Sequence, residues 1–204
     1  MRILDLFAGL GGEHRREKVE ALGHKYITLD YDPSFGCDIT ADIFDWQPAG
    51  EYDFIWASPP CNGFSVASIY RHWDKYGVPK SKVCIDGHRM LLRTLDIIKK
   101  LSPPYWLIEN PRGMMRKCGI MNTYRRYTVT YCQYGLTVMK PTDLWGVMPS
   151  SWVPRPMCKP GASCHESARR GEDRGIQNQN RSPALRAIVP VELWLEVLAA
   201  IAPK

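Results

Sequence analysis

Short apolar runs alternate along the chain with segments whose apolar positions recur every three or four residues. The apolar runs predict β-strands at residues 2–7, 25–29, 53–57, 105–108 and 128–131. The periodic segments predict helices at residues 13–22, 86–101 and 191–200; in the second, Leu91, Leu95 and Ile98 fall at i, i+4 and i+7. Strands that alternate with helices are typical of the α/β class, so we expect a mostly parallel sheet with helices on both faces.

Length and composition indicate one ordinary globular domain. The chain has 204 residues, of which 45% are hydrophobic and 24% charged, and this balance excludes a disordered or fibrous protein. We expect a single domain over residues 1–204. Within it, residues 145–182 are predicted to form an irregular insertion, because Pro, Gly, Ser, Arg and Asn dominate most of that stretch.

The sequence shows no sign of a membrane protein. The most apolar stretch, residues 187–202, is interrupted by Glu192 and Glu196. The first residues read as a strand, without the basic and apolar regions of a signal peptide. Seven cysteines without an export signal indicate reduced thiols, among which a metal ligand or a nucleophile can be sought. We therefore expect a cytoplasmic protein.

Charge is distributed unevenly along the chain. The net charge is +6, but residues 1–60 carry a net −6 and residues 61–204 a net +12. Residues 111–126 contain five Lys and Arg and no acid, and aromatic residues lie among the basic ones. Such a surface suits a polyanion such as nucleic acid, although a solvated basic surface would look the same at this stage.

A glycine-rich turn follows the first predicted strand. Gly9 and Gly11 let the backbone approach a ligand closely, and the helix that begins there offers unpaired N–H groups. Asp30 ends the second strand, where a carboxylate can bind both hydroxyls of a ribose, and Tyr31 can lie against an adenine. The spacing is not GxGxxG, which favours a nucleoside over a dinucleotide, and a tight turn without a ligand is the alternative.

Two reactive side chains follow other strands. Cys61 comes after Pro59 and Pro60, which fix the backbone at the end of a strand, and such a thiol is well placed to act as a nucleophile. Glu109 ends the strand at residues 105–108, where a carboxylic acid can share a proton with a base. The alternatives are a small buried cysteine and an ordinary surface acid. Burial is the preferred explanation for Cys37, Cys84 and Cys118.

Three motifs in this order, DLFAGLGG, SPPCNGFS and IENP, resemble the DNA cytosine-5 methyltransferase family over residues 1 to about 146. The resemblance implies a Rossmann-like methyltransferase sheet and S-adenosylmethionine as the methyl donor. It also implies that Cys61 is the nucleophile and Glu109 the acid at cytosine N3. The residues implied at the donor are Phe7, Gly9, Gly11, Asp30, Tyr31, Asp42, Ile43 and Pro60. A rival placement puts residues 38–39 where Asp42 and Ile43 would flank the adenine.

The resemblance also implies a nucleic-acid substrate, and we expect DNA, with RNA as the alternative and no obligate protein partner. The loop at residues 62–82 is predicted to close over a base that has left the helical stack. The residues expected to contact nucleic acid are Ser65, Arg71, Lys140, Arg169 and Arg170. An amino-group methyltransferase is disfavoured by Cys61, and a catalytically inactive binding module by Cys61 together with Glu109.

Two features depart from the family pattern. Lys140 and Thr142 stand where the family has two arginines after a Tyr-Gly pair, and a threonine cannot reproduce the fork of a guanidinium. Residues 145–182 are also short for a target-recognition region. We therefore expect relaxed or very short sequence recognition.

Cysteine and histidine cluster in the same insertion. Cys158, Cys164 and His165 are close in sequence, and Cys132 arrives from the strand before the Tyr-Gly pair as a fourth ligand. These residue types suit a structural zinc ion, which would order a segment that has little apolar surface to bury. The spacing is not a common zinc pattern, so a set of reduced thiols remains the alternative.

Overall fold

A computed structural model of the chain describes residues 1–66, 69–166 and 187–202. Within them, seven strands form one sheet in the order β3-β2-β1-β4-β5-β7-β6. The strands are β1 (Arg2–Leu6), β2 (Lys25–Asp30), β3 (Ile39–Thr40), β4 (Phe54–Ala57), β5 (Tyr105–Pro111), β6 (Arg125–Thr130) and β7 (Pro141–Val147). The first five pair in parallel, whereas β7 runs antiparallel to both β5 and β6.

Helices cover both faces of the sheet, which confirms the predicted class. They are α1 (Gly9–Ala21), α2 (Ile69–His72), α3 (Lys82–Leu101) and α4 (Val191–Ile201). Successive residues of β1 point to opposite faces: Leu4 packs in the cluster with Leu91 of α3, and Ile3 packs with Val19 of α1 and Trp194 of α4. A buried strand with apolar residues on both faces is what a parallel sheet between helices requires.

Helix starts differ from the sequence-based prediction for identifiable reasons. Helix α3 begins at Lys82 rather than at residue 86, because the Ser81 hydroxyl accepts a hydrogen bond from the Cys84 N–H (3.1 Å) and caps the first turn. Helix α1 begins at Gly9 rather than at residue 13, so the glycine-rich turn is itself the first helical turn. The N-terminus of α1 therefore lies directly after β1.

Strand β7 was not predicted from the sequence, and its presence shortens the predicted insertion at residues 145–182. Residues 145–147, placed in the insertion by the sequence, belong to this strand, which lies between β5 and β6. Its Asp143 is fully buried, and the carboxylate accepts a hydrogen bond from Arg116 Nη2 (2.6 Å) and one from the Thr128 hydroxyl (2.7 Å). Residues 167–182 of the insertion lie outside the described residues. The single-domain assignment stays a prediction.

The described helices lack the properties of membrane-spanning helices. None of those at residues 1–66, 69–166 and 187–202 combines the length and the apolar character needed to cross a membrane.

Candidate active site

A cavity of about 760 Å³ opens at the carboxyl ends of β1, β2, β4 and β5. Its wall includes the turn after β1, the end of β2, the loop after β4 and the end of β5. Ligands of open α/β sheets bind at this edge, where helix N-termini and strand ends converge. The residues predicted to bind the donor and the residues predicted to be reactive therefore line the same cavity.

The turn after β1 has a backbone shape that few residues adopt. Phe7 has φ +60° and Gly9 has φ +52°, both in the left-handed region. A non-glycine residue there stores strain, which is typical of functional turns. At Gly12, a Cβ atom would lie 3.1 Å from the Ala8 Cβ and 3.2 Å from Thr28 Cγ2, so glycine allows α1 to pack closely on β2.

Asp30 is held rigidly at the end of β2. It is 6% exposed, and its carboxylate accepts hydrogen bonds from the Gly9 N–H (3.0 Å) and the Asp32 N–H (3.2 Å). Tyr31 follows with 72% of its surface exposed, and both residues line the cavity. A buried carboxylate beside an exposed aromatic ring fits the ribose and the base of a nucleoside.

The two rival placements expected beside the donor differ in their relation to the cavity. Asp42 and Ile43 line the cavity, and the Ile43 carbonyl is fixed by a hydrogen bond from Arg93 Nε (3.0 Å). The carboxylate of Asp38 instead accepts hydrogen bonds from the Thr28 N–H (2.8 Å) and from Arg16 Nη2 (2.8 Å). Because Asp38 is engaged within the fold and lies off the cavity wall, the geometry favours Asp42 and Ile43.

The loop that carries Cys61 is fixed at several points. Ser58 N–H donates to the Leu6 carbonyl (3.1 Å), and Asn110 Nδ2 donates to the Pro59 carbonyl (2.9 Å). At Gly63, a Cβ atom would lie 2.8 Å from the Cα of Cys84, so this loop packs directly on α3. Pro60 and the half-buried Cys61 follow on the cavity wall, which sets the thiol in a defined position.

Glu109 is buried at the end of β5 beside two partners. It is 4% exposed, and its Oε1 accepts a hydrogen bond from the Tyr131 hydroxyl (2.7 Å). Lys140 Nζ lies 4.0 Å from the same oxygen and 4.6 Å from the centre of the Tyr131 ring. Burial, together with the carboxylate of Glu109, raises the pKa of Tyr131 well above its usual value. Tyr131 therefore stays protonated and remains a donor.

The structure shows what replaces the two family arginines. Lys140 precedes β7, is only 6% exposed and lines the cavity, so it does not lie on the outer surface where a phosphate backbone would run. Thr142 is fully buried in β7, and its hydroxyl lies 3.4 Å from the Lys140 carbonyl. One positive charge beside Glu109 is retained, and the second position contributes none.

The other residues expected to bind nucleic acid have different locations. Ser65 lines the cavity, and Arg71 is exposed on α2. Arg169 and Arg170 lie outside the described residues. Tyr131 and Asn110 were not among the site residues predicted from the sequence. Asn110 could have been found, because it belongs to the IENP motif. Nothing in the sequence connects Tyr131 to Glu109. Residues 187–189, which line the cavity just before α4, were not predicted either.

The predicted zinc ligands also come together. Cys132 lies on a short 3-10 turn after β6, and its ligand atom and those of Cys158, Cys164 and His165 all lie within 4.8 Å of one another. This cluster is separate from the cavity wall. Its four residues are called the thiol–imidazole cluster below.

Two other cysteines behave as inert core residues. Cys84 and Cys118 are buried on either side of His88, with sulfur-to-ring-nitrogen distances of 3.8 and 3.1 Å. Burial raises the pKa of Cys118 to about 12, and burial likewise raises the pKa of Cys84. Cys37 is half-buried rather than buried. Among the described residues, Cys61 is the cysteine that lines the cavity.

The sheet, its reversed strand and the cavity at its strand ends define an S-adenosylmethionine-dependent methyltransferase fold. The sequence profile of the family described as C-5 cytosine-specific DNA methylase matches residues 1–123. A protein of Frog virus 3 (isolate Goorha), described as a probable DNA (cytosine-5)-methyltransferase, is 31% identical across 97% of this chain and 99% of the viral protein. The chain belongs to the C-5 cytosine-specific DNA methylase family.

Solved structures give more distant matches. The Dnmt2 methyltransferase of S. pombe is 17% identical, with a TM-score of 0.48 over 72% of this chain and 50% of that one. The Entamoeba histolytica methyltransferase EhMeth is 13% identical, with a TM-score of 0.48 over 77% of this chain and 56% of that one. The chain thus spans about half the length of these two proteins.

Proposed function

We propose that this protein transfers a methyl group from S-adenosylmethionine to C5 of a cytosine in DNA, through a covalent bond between the sulfur of Cys61 and C6 of the base. The observation that carries the proposal is the continuity of the cavity. The same cavity is lined by the residues proposed to bind a nucleoside, at the ends of β1 and β2, and by the thiol and the acid that follow β4 and lie in β5. Donor and base can therefore occupy it together.

The residues at the donor end fit S-adenosylmethionine. The buried Asp30 carboxylate can accept the two ribose hydroxyls, and the exposed Tyr31 ring can cover the adenine. Phe7, Gly9 and Gly11 would lie along the methionine part, with Pro60 close to the transferred group. When bound, the donor supplies an electrophilic methyl group on a sulfonium.

The reactive end supplies what cytosine lacks. C5 of cytosine is a weak nucleophile, and addition of the Cys61 thiolate to C6 breaks the aromatic system and makes C5 enamine-like. Glu109 donates a hydrogen bond or proton to N3, where negative charge develops. C5 then takes the methyl group from the sulfonium, which leaves as a neutral thioether, and a base removes the C5 proton. Elimination breaks the bond between sulfur and C6, regenerates the Cys61 thiolate and returns the N3 proton to Glu109.

The partners of Glu109 prepare it for this step. The Tyr131 hydroxyl occupies Oε1, which leaves Oε2 for N3 of the base. Lys140 adds a positive charge 4.0 Å from Oε1 and is buried, so it acts in a region of low dielectric constant, where charges interact strongly. Lys140 thus supports the negative charge that develops on the ring, a task that the family pattern gives to arginine.

DNA is the favoured polymer because the description of the family and that of the viral relative both name DNA as the substrate of cytosine methylation. The net charge of +12 on residues 61–204 suits either nucleic acid. The base must leave the helical stack before Cys61 can reach C6. Unstacking and unpairing the base costs about a few kcal/mol.

Incubation with tritiated S-adenosylmethionine and DNA or RNA of matched sequence tests the substrate. Label in cytosine C5 of DNA is expected, whereas label in RNA alone, or in neither, would contradict the proposal. DNA that contains 5-fluorocytosine tests the covalent step, because fluorine cannot be eliminated as a proton is. The wild-type protein should form a stable adduct, and Cys61→Ser should form none.

The matched control is Cys37→Ser, since Cys37 is half-buried like Cys61 but lies away from the cavity wall. This control should form the adduct as the wild-type protein does. An adduct that persists in Cys61→Ser would remove Cys61 from the mechanism, even if DNA were methylated.

A further inference from the structure

The thiol–imidazole cluster joins two parts of the chain that are distant in sequence. Cys132 follows β6, whereas Cys158, Cys164 and His165 belong to the segment after β7. The Sγ atoms of Cys158 and Cys164 lie 3.1 Å apart. The His165 Nδ1 atom lies 3.3 Å from the first of these sulfurs and 3.6 Å from the second. The same ring nitrogen thus faces two thiols.

Two of these three separations are close to the edges of a metal-centred tetrahedron, and the third is shorter. Zinc with bonds of about 2.3 Å to sulfur and about 2.0 Å to nitrogen gives edges of about 3.8 Å between two sulfurs and about 3.5 Å between sulfur and nitrogen. The two sulfur–nitrogen distances, 3.3 and 3.6 Å, lie on either side of the second value. The 3.1 Å between the two sulfurs is about 0.7 Å shorter than the first value. Because all four ligand atoms lie within 4.8 Å of one another, small shifts of the side chains would bring them to one ion.

A disulfide explains the cluster less well. The 3.1 Å separation of the Cys158 and Cys164 sulfurs is far longer than the bond of about 2.05 Å that a disulfide requires. Such a bond would also leave Cys132 and His165 without a reason to converge on the same point. Thiols are weak hydrogen-bond donors and acceptors, so packing three of them around an imidazole gains little without an ion.

We infer that Cys132, Cys158, Cys164 and His165 bind one structural zinc ion. Three thiolates and one imidazole in a closed tetrahedral set are typical of structural rather than catalytic zinc, since no ligand position is left for a substrate. The site lies off the wall of the cavity that holds Cys61. Its role is therefore to stabilise the fold. The zinc inference does not depend on whether the protein methylates DNA.

Among the described residues, few hydrogen bonds join the segment that the ion would fix to the rest of the chain. The Cys158 N–H donates to the Thr130 hydroxyl (2.8 Å), and the Glu166 N–H donates to the Thr137 carbonyl (2.9 Å). Apart from Cys158, residues 157–166 are exposed or partly exposed, so burial contributes little there. A zinc ion would bind this segment to the turn at Tyr131–Tyr134, and Tyr131 in that turn donates to Glu109.

Metal analysis of the full-length protein tests the inference. Protein purified without added metal and without a polyhistidine tag should contain about one zinc per chain. Cys158→Ser and His165→Ala should lose it, whereas His165→Cys, which offers a fourth thiolate, should retain it. Cys37→Ser is the matched control and should hold as much zinc as the wild-type protein, because Cys37 lies outside the cluster.

A second measurement keeps the test valid if a variant fails to fold. Zinc is removed from the wild-type protein with a chelator and replaced with cobalt, whose absorption should show thiolate ligation in tetrahedral geometry. Chelation should also expose residues 157–166 to limited proteolysis, and returned zinc should reverse this. Substoichiometric metal in the wild-type protein, iron instead of zinc, or a Cys158–Cys164 disulfide in the mass spectrum would each overturn the inference.

Discussion

Removal of one hydroxyl should show whether Glu109 acts as proposed. Tyr131→Phe deletes the group that donates to Glu109 Oε1 at 2.7 Å and leaves the ring, which is fully buried, in place. Lys140 remains 4.0 Å from the same oxygen. The carboxyl group therefore keeps its charge partner and loses the contact that fixes its orientation.

The expected magnitude follows from the strength of such a contact. Once Glu109 has given its proton to N3 it is a carboxylate, and a hydrogen bond to such a charged group contributes about 1.5–3 kcal/mol. If this stabilisation is expressed when charge develops at N3 of the base, kcat should fall roughly 10- to 150-fold, at about 1.4 kcal/mol for each factor of ten. The KM for S-adenosylmethionine should stay within about twofold of wild type, because the donor end of the cavity is untouched.

The assay is steady-state transfer of labelled methyl groups to DNA, with the donor and the DNA varied separately. Tyr127→Phe is the matched control: Tyr127 lies in β6 and is buried like Tyr131, and its hydroxyl has no hydrogen-bond partner among the described residues. It should leave kcat unchanged. A Tyr131→Phe enzyme within twofold of wild type, or one altered only in donor KM, would refute the positioning of Glu109 by Tyr131.

Two further substitutions test the donor site and the packing of the cysteine loop. Asp30→Ala should weaken S-adenosylmethionine binding at least about tenfold by calorimetry, since hydrogen bonds from the ribose to a carboxylate contribute about 1.5–3 kcal/mol each. Asp32→Ala is the control, because the Asp32 carboxylate caps an exposed turn, and this variant should bind S-adenosylmethionine normally. Equal losses of affinity in the two variants would contradict the assignment of Asp30 to the ribose. Gly113→Ala places a Cβ atom 2.3 Å from the Phe64 carbonyl oxygen, and overpacking of about 1–3 kcal/mol should lower Tm by roughly 2–12 °C. Gly119→Ala meets no described atom within 4 Å, and a similar fall there would show that the clash is not the cause.

The predicted elements succeeded where one local signal was enough. Residues 25–29 and 105–108 each begin where the observed strand begins, since β-branched and aromatic residues there follow a turn or a proline. Strand β7 was missed because it contains Pro141, Asp143 and Gly146. Its fit depends on Arg116, which neutralises Asp143, and on Gly146, where a Cβ atom would lie 2.0 Å from the Trp106 carbonyl oxygen. Neither contact has a local signature.

The same division holds at the candidate site. Cys61, Asp30 and Glu109 were identified because each ends a strand or follows one directly, and parallel strand ends meet at one edge. Tyr131 was not, since its contact with Glu109 depends on β7 lying between β5 and β6, a strand order that a sequence does not display. Arg169 and Arg170 stay predictions, as do the substrate and the metal.

The sheet places the two halves of the chemistry on two consecutive stretches of chain. The residues proposed to hold the donor, together with Cys61, precede α3, whereas Glu109 and its partners follow it. Between α3 and β5 the chain passes through exposed Ser102 and Pro104. A cut there would leave two fragments, each with half a reaction centre, that meet through the parallel pairing of β4 with β5. If such fragments are fused to two other proteins, the proposed methyl transfer should occur only where those proteins bring β4 and β5 together.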